Sequence, residues 1–232
     1  MTVIAQVNTT SGVKVLAAKL SIIAASISIV ALFGLHVLSP EFGPSWRMVS
    51  EYANGSFEWL LFVFFIFWGL SSWALAIALW PYVASVAAKF GVIALVISGL
   101  GTILAAFFNV NHPLHGLTGT LGIPTFVVAA LLVSYHLRKK TDWTGKKNVL
   151  IWSAHATWMS VVLVVVTMII MINGFKEAGI VLGPSQKPPA SVPVGVVALV
   201  GYANRLLIAA YIGWLLLVSS VLLNIYKLRS SD

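Results

Sequence analysis

The sequence predicts an all-α membrane protein, a bundle of six transmembrane helices. Of its 232 residues, 59% are hydrophobic and 9% are charged, with a mean hydropathy of +0.98. Soluble domains carry about 25% charged residues, so most of this surface is expected to face lipid. Six apolar runs reach the roughly 20 residues that a membrane helix needs. They lack the alternation of a β-barrel, and helices satisfy their own backbone hydrogen bonds in lipid.

The six predicted helices follow one another along the whole chain. They cover residues 15–38, 57–80, 84–108, 114–137, 149–172 and 196–225. The first run is longer than the apolar region of a signal peptide and no small-residue cleavage site follows it, so we expect it to persist as the first span. The length suits one domain, residues 1–232. The proline-rich link 174–193 is predicted to be irregular, with room to lie over the bundle as a flap.

Basic residues mark one side of this predicted bundle. They lie near both ends of the chain, near the start of the third helix and between the fourth and fifth helices: Lys14, Lys19, Lys89, Arg138, Lys139, Lys140, Lys146, Lys147, Lys227 and Arg229. The positive-inside rule makes this side cytoplasmic, with both termini inside a cell membrane. Because the net charge of +8 sits beside apolar segments, we expect membrane lipids as partners and no nucleic acid. A homo-oligomer is possible, and protein partners are unknown.

The link between the first two helices holds the densest group of polar side chains. His36 closes the first helix, and Glu41, Arg47, Glu51 and Tyr52 follow it. Charge placed against a membrane is expensive, so this cluster predicts a functional site.

Four more polar residues are predicted to reach the same outer end. His112 and His115 precede or begin the fourth helix, and Tyr202 and Arg205 lie early in the sixth. Arg205 precedes Lys227 by roughly 33 Å of helix, so the two residues lie near opposite membrane boundaries.

Small residues predict how these helices pack. Tyr202, Arg205, Ala209 and Gly213 share one face of the sixth helix. Small residues mark packing faces, so Arg205 is predicted to point into the bundle and to bind a carboxylate, Glu41 or Glu51. On the fourth helix, a stripe of small residues and histidines predicts a tight helix seam: His112, His115, Gly119 and Gly122.

The leading hypothesis is a non-enzymatic pocket for a lipid headgroup or a small polar ligand. Its arginines would meet an anionic group, its glutamates a cationic group, and its tyrosines would line the wall. The predicted ligand-binding residues are His36, Glu41, Arg47, Glu51, Tyr52, His112, His115, Tyr202 and Arg205. A structural salt-bridge network that pins the link to the bundle is compatible with this hypothesis.

Two other functions stay open from the sequence. His36, His112 and His115 could hold a catalytic zinc in a lipid hydrolase, since three histidines are a known ligand set. Their spacing lacks the diagnostic His-Glu-x-x-His pattern, and the chain has no cysteine, so no metal or other cofactor is expected. A small-solute or proton-coupled transporter would use His155 as a relay and would need a polar path from it to the outer cluster.

The first link also carries a resemblance. It matches the pattern His-x-x-Ser-Pro, Ser-x-Arg, Ser-Glu-Tyr through His36, Ser39, Pro40, Ser45, Arg47, Ser50, Glu51 and Tyr52. A second motif consists of an aromatic helix end, a polar turn and a histidine–glycine helix start, and it is matched by Phe107, Phe108, His115 and Gly116. The chain thereby resembles the uncharacterised prokaryotic membrane-protein family known as domain of unknown function nine-nine-eight. Asn111 stands where that family often has an aspartate. The resemblance implies a six-helix bundle. A more distant likeness to eukaryotic six-helix membrane proteins connected with lipid organisation favours a lipid-related role.

Overall fold

The computed structural model describes residues 2–180, 189 and 191–231, with side chains described for residues 12–180, 189 and 191–229. Its long helices are α1 (Thr2–Leu38), α2 (Glu58–Leu79), α3 (Val86–Phe107), α4 (His115–Leu137), α5 (Lys147–Glu177) and α6 (Val200–Ser231). Two short 3-10 helices, Val49–Asn54 and Thr141–Lys146, lie in links. All six long helices contain a stretch that is long and apolar enough to cross a membrane. The predicted class and helix number are therefore confirmed.

The helices form a closed ring. Each packs against the next along the chain, α6 returns to α1, and α2 also touches α6 across the middle. One end of the bundle holds the first link, residues 39–57, together with the start of α6. We name it the first-link end. The other end holds the C-terminal part of α6 and the links that follow α2 and α4, and we name it the terminal end.

The backbones of α3 and α4 approach each other closely. A Cβ on Gly101 would lie 2.5 Å from the backbone nitrogen of Gly122, and Ser98 donates a hydrogen bond of 2.7 Å to the Gly122 carbonyl. Glycines allow backbones to approach this closely in a membrane bundle. The predicted stripe on α4 is thus correct at Gly122. Gly119 has open space at its Cβ position, so it does not belong to the seam.

Buried polar side chains join helices in the other half of the bundle. The Ser21 hydroxyl lies 2.7 Å from that of Ser219 and 3.1 Å from that of Ser71, which ties α1, α2 and α6 together. Hydroxyls that bond one another can be buried in an apolar bundle, because no polar group is left unsatisfied.

A second polar contact closes the terminal end. Asp142 accepts hydrogen bonds from the Tyr82 hydroxyl at 2.8 Å and from Arg229 at 2.6 Å. Burial, together with the hydrogen bond to Asp142, raises the pKa of Tyr82 to about 12. This contact joins the α2–α3 link, the α4–α5 link and α6.

Candidate functional site

Arg205 is the centre of the polar cluster at the first-link end. Its Nε donates to Nε2 of His36 at 2.6 Å, and Nη2 donates to the Tyr52 hydroxyl at 3.2 Å. Nη1 donates to the carbonyl oxygens of Arg47 at 2.7 Å and Gly201 at 3.0 Å. A guanidinium has five N–H groups. Within the described residues, these contacts engage all of them but one, on Nη2.

Every one of these acceptors is uncharged, so the predicted pairing of Arg205 with a glutamate is wrong. Glu51 instead accepts from Arg47 at 2.7 Å and from the backbone N–H of Met48 at 2.8 Å. Local partners prevail because bringing together residues three or four apart costs little chain entropy. Glu41 is exposed and forms no ion pair with any described residue.

His36 orients the arginine. Its Nδ1 lies 2.7 Å from the Leu32 carbonyl, and a carbonyl can only accept, so Nδ1 carries the proton. Nε2 then offers its lone pair to the Nε–H of Arg205. The hydrogen bonds assign His36 to one neutral tautomer with both ring nitrogens in use.

The start of α6 forms hydrogen bonds to the backbone of the first link. The Ser45 carbonyl accepts from the N–H groups of Gly201 at 2.8 Å and Tyr202 at 3.3 Å, and Asn204 Oδ1 accepts from the Val49 N–H at 2.9 Å. First-turn amides have no partner inside their own helix, so the link satisfies them. We call these contacts, together with those of Arg205, the α6 lock.

Arg47 connects the lock to the link between α5 and α6. Its guanidinium carbon lies 3.9 Å above the ring centroid of Trp46, and its Nη2 donates to the Pro189 carbonyl at 2.8 Å. Trp46 in turn stacks on Phe175 of α5 at 6.2 Å. Pro189 thus lies against the first link, as a flap requires. Residues 181–188 and 190 lie outside the described part of the chain, so the flap stays a prediction.

The side chains of three further predicted site residues, like that of Glu41, lie outside this lock. Tyr202 contributes its backbone N–H, but its side chain is 54% exposed. His112 is exposed and stacks on Phe108 with ring centroids 4.6 Å apart. His115 lies 2.8 Å through Nδ1 from the carbonyl of Phe108. With His36 bonded to Arg205, the three histidines of the hydrolase hypothesis do not come together, and the described residues contain no group of three metal-ligating side chains.

A groove runs along the outside of the bundle from Arg205 towards its middle. It lies between α1 and α6, has a volume of about 510 Å³ and is almost wholly apolar. Phe33 forms part of its wall, and its small residues are Ala209 and Gly213, both of them exposed. His36 and Arg205 close its first-link end. The predicted packing face of α6 is therefore wrong: its small residues leave a groove instead of meeting a helix.

A separate cavity lies inside the bundle, under the 3-10 helix of the first link. Its volume is about 120 Å³, and α2, α3, α4 and α6 surround it. His115, Asn204 and Tyr211 line it. Trp68 lines it as well, and its buried indole N–H has no hydrogen-bond partner in the described part of the chain. A buried donor without a partner is costly, so a hydrogen-bond acceptor within reach of this indole would be stabilised.

His155 does not face this cavity. Its Nε2 lies 3.2 Å from the Tyr135 hydroxyl, and its Nδ1 accepts from the indole of Trp158 at 2.8 Å. Tyr135 is 41% exposed and Trp158 is 40% exposed, so this cluster lies at the outside of the bundle. Nearer the middle, Phe126 stacks on Tyr211 at 4.2 Å. The arrangement lacks the inward-facing relay that the transporter hypothesis requires of His155.

Gly201 and Asn204 are parts of the lock that the predicted site omits. A Cβ on Gly201 would lie 2.5 Å from the Pro44 carbonyl oxygen and 2.7 Å from that of Arg47. A glycine and an asparagine in the first turn before an arginine are the sequence signal, since a polar first turn in an apolar helix needs partners.

Comparison with known proteins finds one family. The family model described as Protein of unknown function (DUF998) matches residues 22–221, which include the first link and the whole α6 lock. No curated protein and no solved structure matches the chain.

Proposed function

We propose that this chain, which belongs to the family of unknown function matched over residues 22–221, binds a membrane phospholipid at the end of the α1–α6 groove. The lipid phosphate meets Arg205, and an acyl chain lies along Ala209 and Gly213. The observation that carries the proposal is a guanidinium bonded to uncharged groups at the end of an apolar groove. In this reading the protein is a multi-pass membrane protein that holds a lipid without transforming it.

The charge of Arg205 supports an anionic ligand. No described carboxylate lies within 4.0 Å of it, because Glu51 is taken by Arg47. Charges at membrane depth are normally paired, and an uncompensated one is expensive. A phosphate oxygen is the counter-charge that the lipid itself supplies, and it accepts hydrogen bonds from guanidinium groups. The second N–H on Nη2, which has no partner among the described residues, offers the first of these bonds.

The shape of the groove supports an acyl chain. Its lining is apolar, and Gly213 leaves open space where any other residue would place a side chain. An apolar crevice between helices cannot stay empty in a bilayer without losing dispersion contacts, so lipid chains fill it. Arg205, which would contact the headgroup, and the apolar groove, which would contact the chain, are then arranged in the same order as these parts are in one lipid molecule.

A matched pair of glycine variants tests the groove. Gly213→Leu fills it without a clash, since nothing lies within 4 Å of the Cβ position, and Gly116→Leu adds the same side chain at an equally open, exposed position on α4. Native mass spectrometry of gently purified protein should show bound phospholipid in the wild type and in Gly116→Leu, and much less in Gly213→Leu. Equal retention in both variants would overturn the proposal.

A second variant tests the phosphate contact. Arg205→Gln keeps the groove and removes the charge. Wild-type protein should retain a phospholipid in preference to a diacylglycerol with the same chains, and Arg205→Gln should lose this preference. If Arg205→Gln retains the preference, the arginine is a structural part of the lock and the phosphate assignment fails.

A small neutral ligand in the internal cavity is a second candidate function, favoured by the unpartnered indole N–H of Trp68. Small solutes such as glycerol or acetamide can be screened by thermal shift. A true ligand stabilises the wild type and Gly116→Leu but not Gly119→Leu, whose new side chain enters the cavity. If every solute acts equally on both variants, the cavity holds water alone and the candidate is rejected.

A further inference from the structure

A basic cleft lies at the terminal end, where α4 ends and α5 begins. Its volume is about 520 Å³. Three cationic and three uncharged residues line it: Arg138, Lys139, Lys147, Asn148, Ile151 and Trp152. None of these belongs to the α6 lock or to the α1–α6 groove.

The positive charge of the cleft is not neutralised by its neighbours. Arg138, Lys139 and Lys147 form no ion pair with any residue that the structure describes. The acidic residue of the same link, Asp142, is engaged by Tyr82 and Arg229. Three cations around one concave surface produce a positive potential that concentrates anions.

The cationic side chains of the cleft suit a phosphate group. The guanidinium of Arg138 and the ammonium groups of Lys139 and Lys147 all donate charge-assisted hydrogen bonds to phosphate oxygens when one is in reach.

The uncharged wall of the cleft distinguishes a lipid phosphate from a free one. Trp152 is 69% exposed and lies beside Ile151 in the second turn of α5, at the edge of an apolar helix. Exposed tryptophans at such positions sit at the level of lipid headgroups. A soluble phosphate would gain nothing from this wall, whereas a phospholipid would place its chains along it.

We propose that this cleft binds the headgroup of an anionic phospholipid, at the end of the bundle opposite Arg205. Arg138, Lys139 and Lys147 bind the phosphate, and Trp152 contacts the glycerol and chain region. The inference does not depend on the α1–α6 groove, and the two sites have no residue in common.

The experiment compares two lysine variants in the full-length protein. Lys147→Gln removes one cation from the cleft, and Lys89→Gln removes an exposed lysine near the start of α3, outside the cleft. Native mass spectrometry of protein released from mixed vesicles measures bound phosphatidylglycerol against phosphatidylcholine. Wild type and Lys89→Gln should prefer phosphatidylglycerol, and Lys147→Gln should lose roughly fivefold of that preference.

Three results would overturn the proposal. One is an unchanged preference in Lys147→Gln, and another is an equal loss in Lys89→Gln, which would mean that the net charge alone attracts the lipid. The third is displacement of phosphatidylglycerol by inorganic phosphate at a similar concentration, which would make this a site for free phosphate. Gly213→Leu, measured in parallel, should leave this preference unchanged, so failure of one lipid site is distinguishable from failure of the other.

Discussion

Gly201→Ala should weaken the hydrogen bonds between the first link and α6. The added methyl group would lie 2.5 Å from the Pro44 carbonyl oxygen, 2.7 Å from that of Arg47 and 2.8 Å from the Ser45 carbonyl carbon. All three are backbone atoms, so no flexible side chain can move aside. The link must shift, and the Gly201 and Arg205 hydrogen bonds to it must lengthen.

The expected cost follows from these contacts. Overpacking costs about 1–3 kcal/mol, and each weakened hydrogen bond about 1 kcal/mol. The better helix propensity of alanine returns up to about 1 kcal/mol. The net destabilisation of Gly201→Ala is therefore about 2–4 kcal/mol. Gly213→Ala is the matched control in the same helix, since its Cβ meets nothing within 4 Å and it gains only the propensity term.

Thermal unfolding in detergent, followed by circular dichroism, measures both variants. At about 2–4 °C per kcal/mol for a chain of this size, Gly201→Ala should melt roughly 4–16 °C below wild type, and Gly213→Ala at or slightly above it. Hydrogen exchange should show faster exchange at the Val49 amide in Gly201→Ala, because that amide is held by the lock. Equal melting temperatures for the two variants would refute the close contact between α6 and the first link.

Further predictions concern the rest of the bundle. Gly101→Ala places a Cβ 2.5 Å from a backbone nitrogen and should cost about 1–3 kcal/mol, whereas Gly122→Ala meets its nearest atom at 3.7 Å and should cost little; equal thermal shifts would contradict the seam. Ser21→Ala, which breaks the buried serine contact, should cost about 1 kcal/mol in equilibrium unfolding, and exposed Ser26→Ala almost nothing. The pKa of Tyr82 is raised from 10.0 to about 12, so the unfolded chain ionises first and stability should fall as pH rises from 10 to 12. Tyr82→Phe should flatten that fall in a pH series of melting temperatures, and an unchanged slope would remove Tyr82 from the explanation.

The helices could be predicted from the sequence because a bilayer fixes their length. Each apolar run had to provide about 20 residues, and each became a helix. The largest differences are at ends that the bilayer does not constrain. α1 begins at Thr2 instead of the predicted residue 15. α6 begins at Val200, later than the predicted residue 196, and Val196 lies against Gly174 of α5 ahead of the helix.

The cluster of His36, Arg47, Tyr52 and Arg205 could also be predicted, since polar side chains beside apolar helices must find partners at the membrane boundary. The partner that each of these side chains binds could not be predicted. Opposite charge suggested Arg205 with a glutamate, but Glu51 had a nearer partner in its own turn. The groove could not be predicted for a related reason. Small residues such as Gly213 indicate a close neighbour, but they do not distinguish a neighbouring helix from a lipid.

The most direct test of the lipid proposal is a cryo-electron microscopy structure of the protein in lipid nanodiscs. The proposal predicts a phospholipid in the α1–α6 groove, with one acyl chain beside Ala209 and Gly213 and a phosphate oxygen within hydrogen-bonding distance of Arg205. A groove filled by a neighbouring protein helix, or a lipid whose phosphate lies away from Arg205, would contradict it.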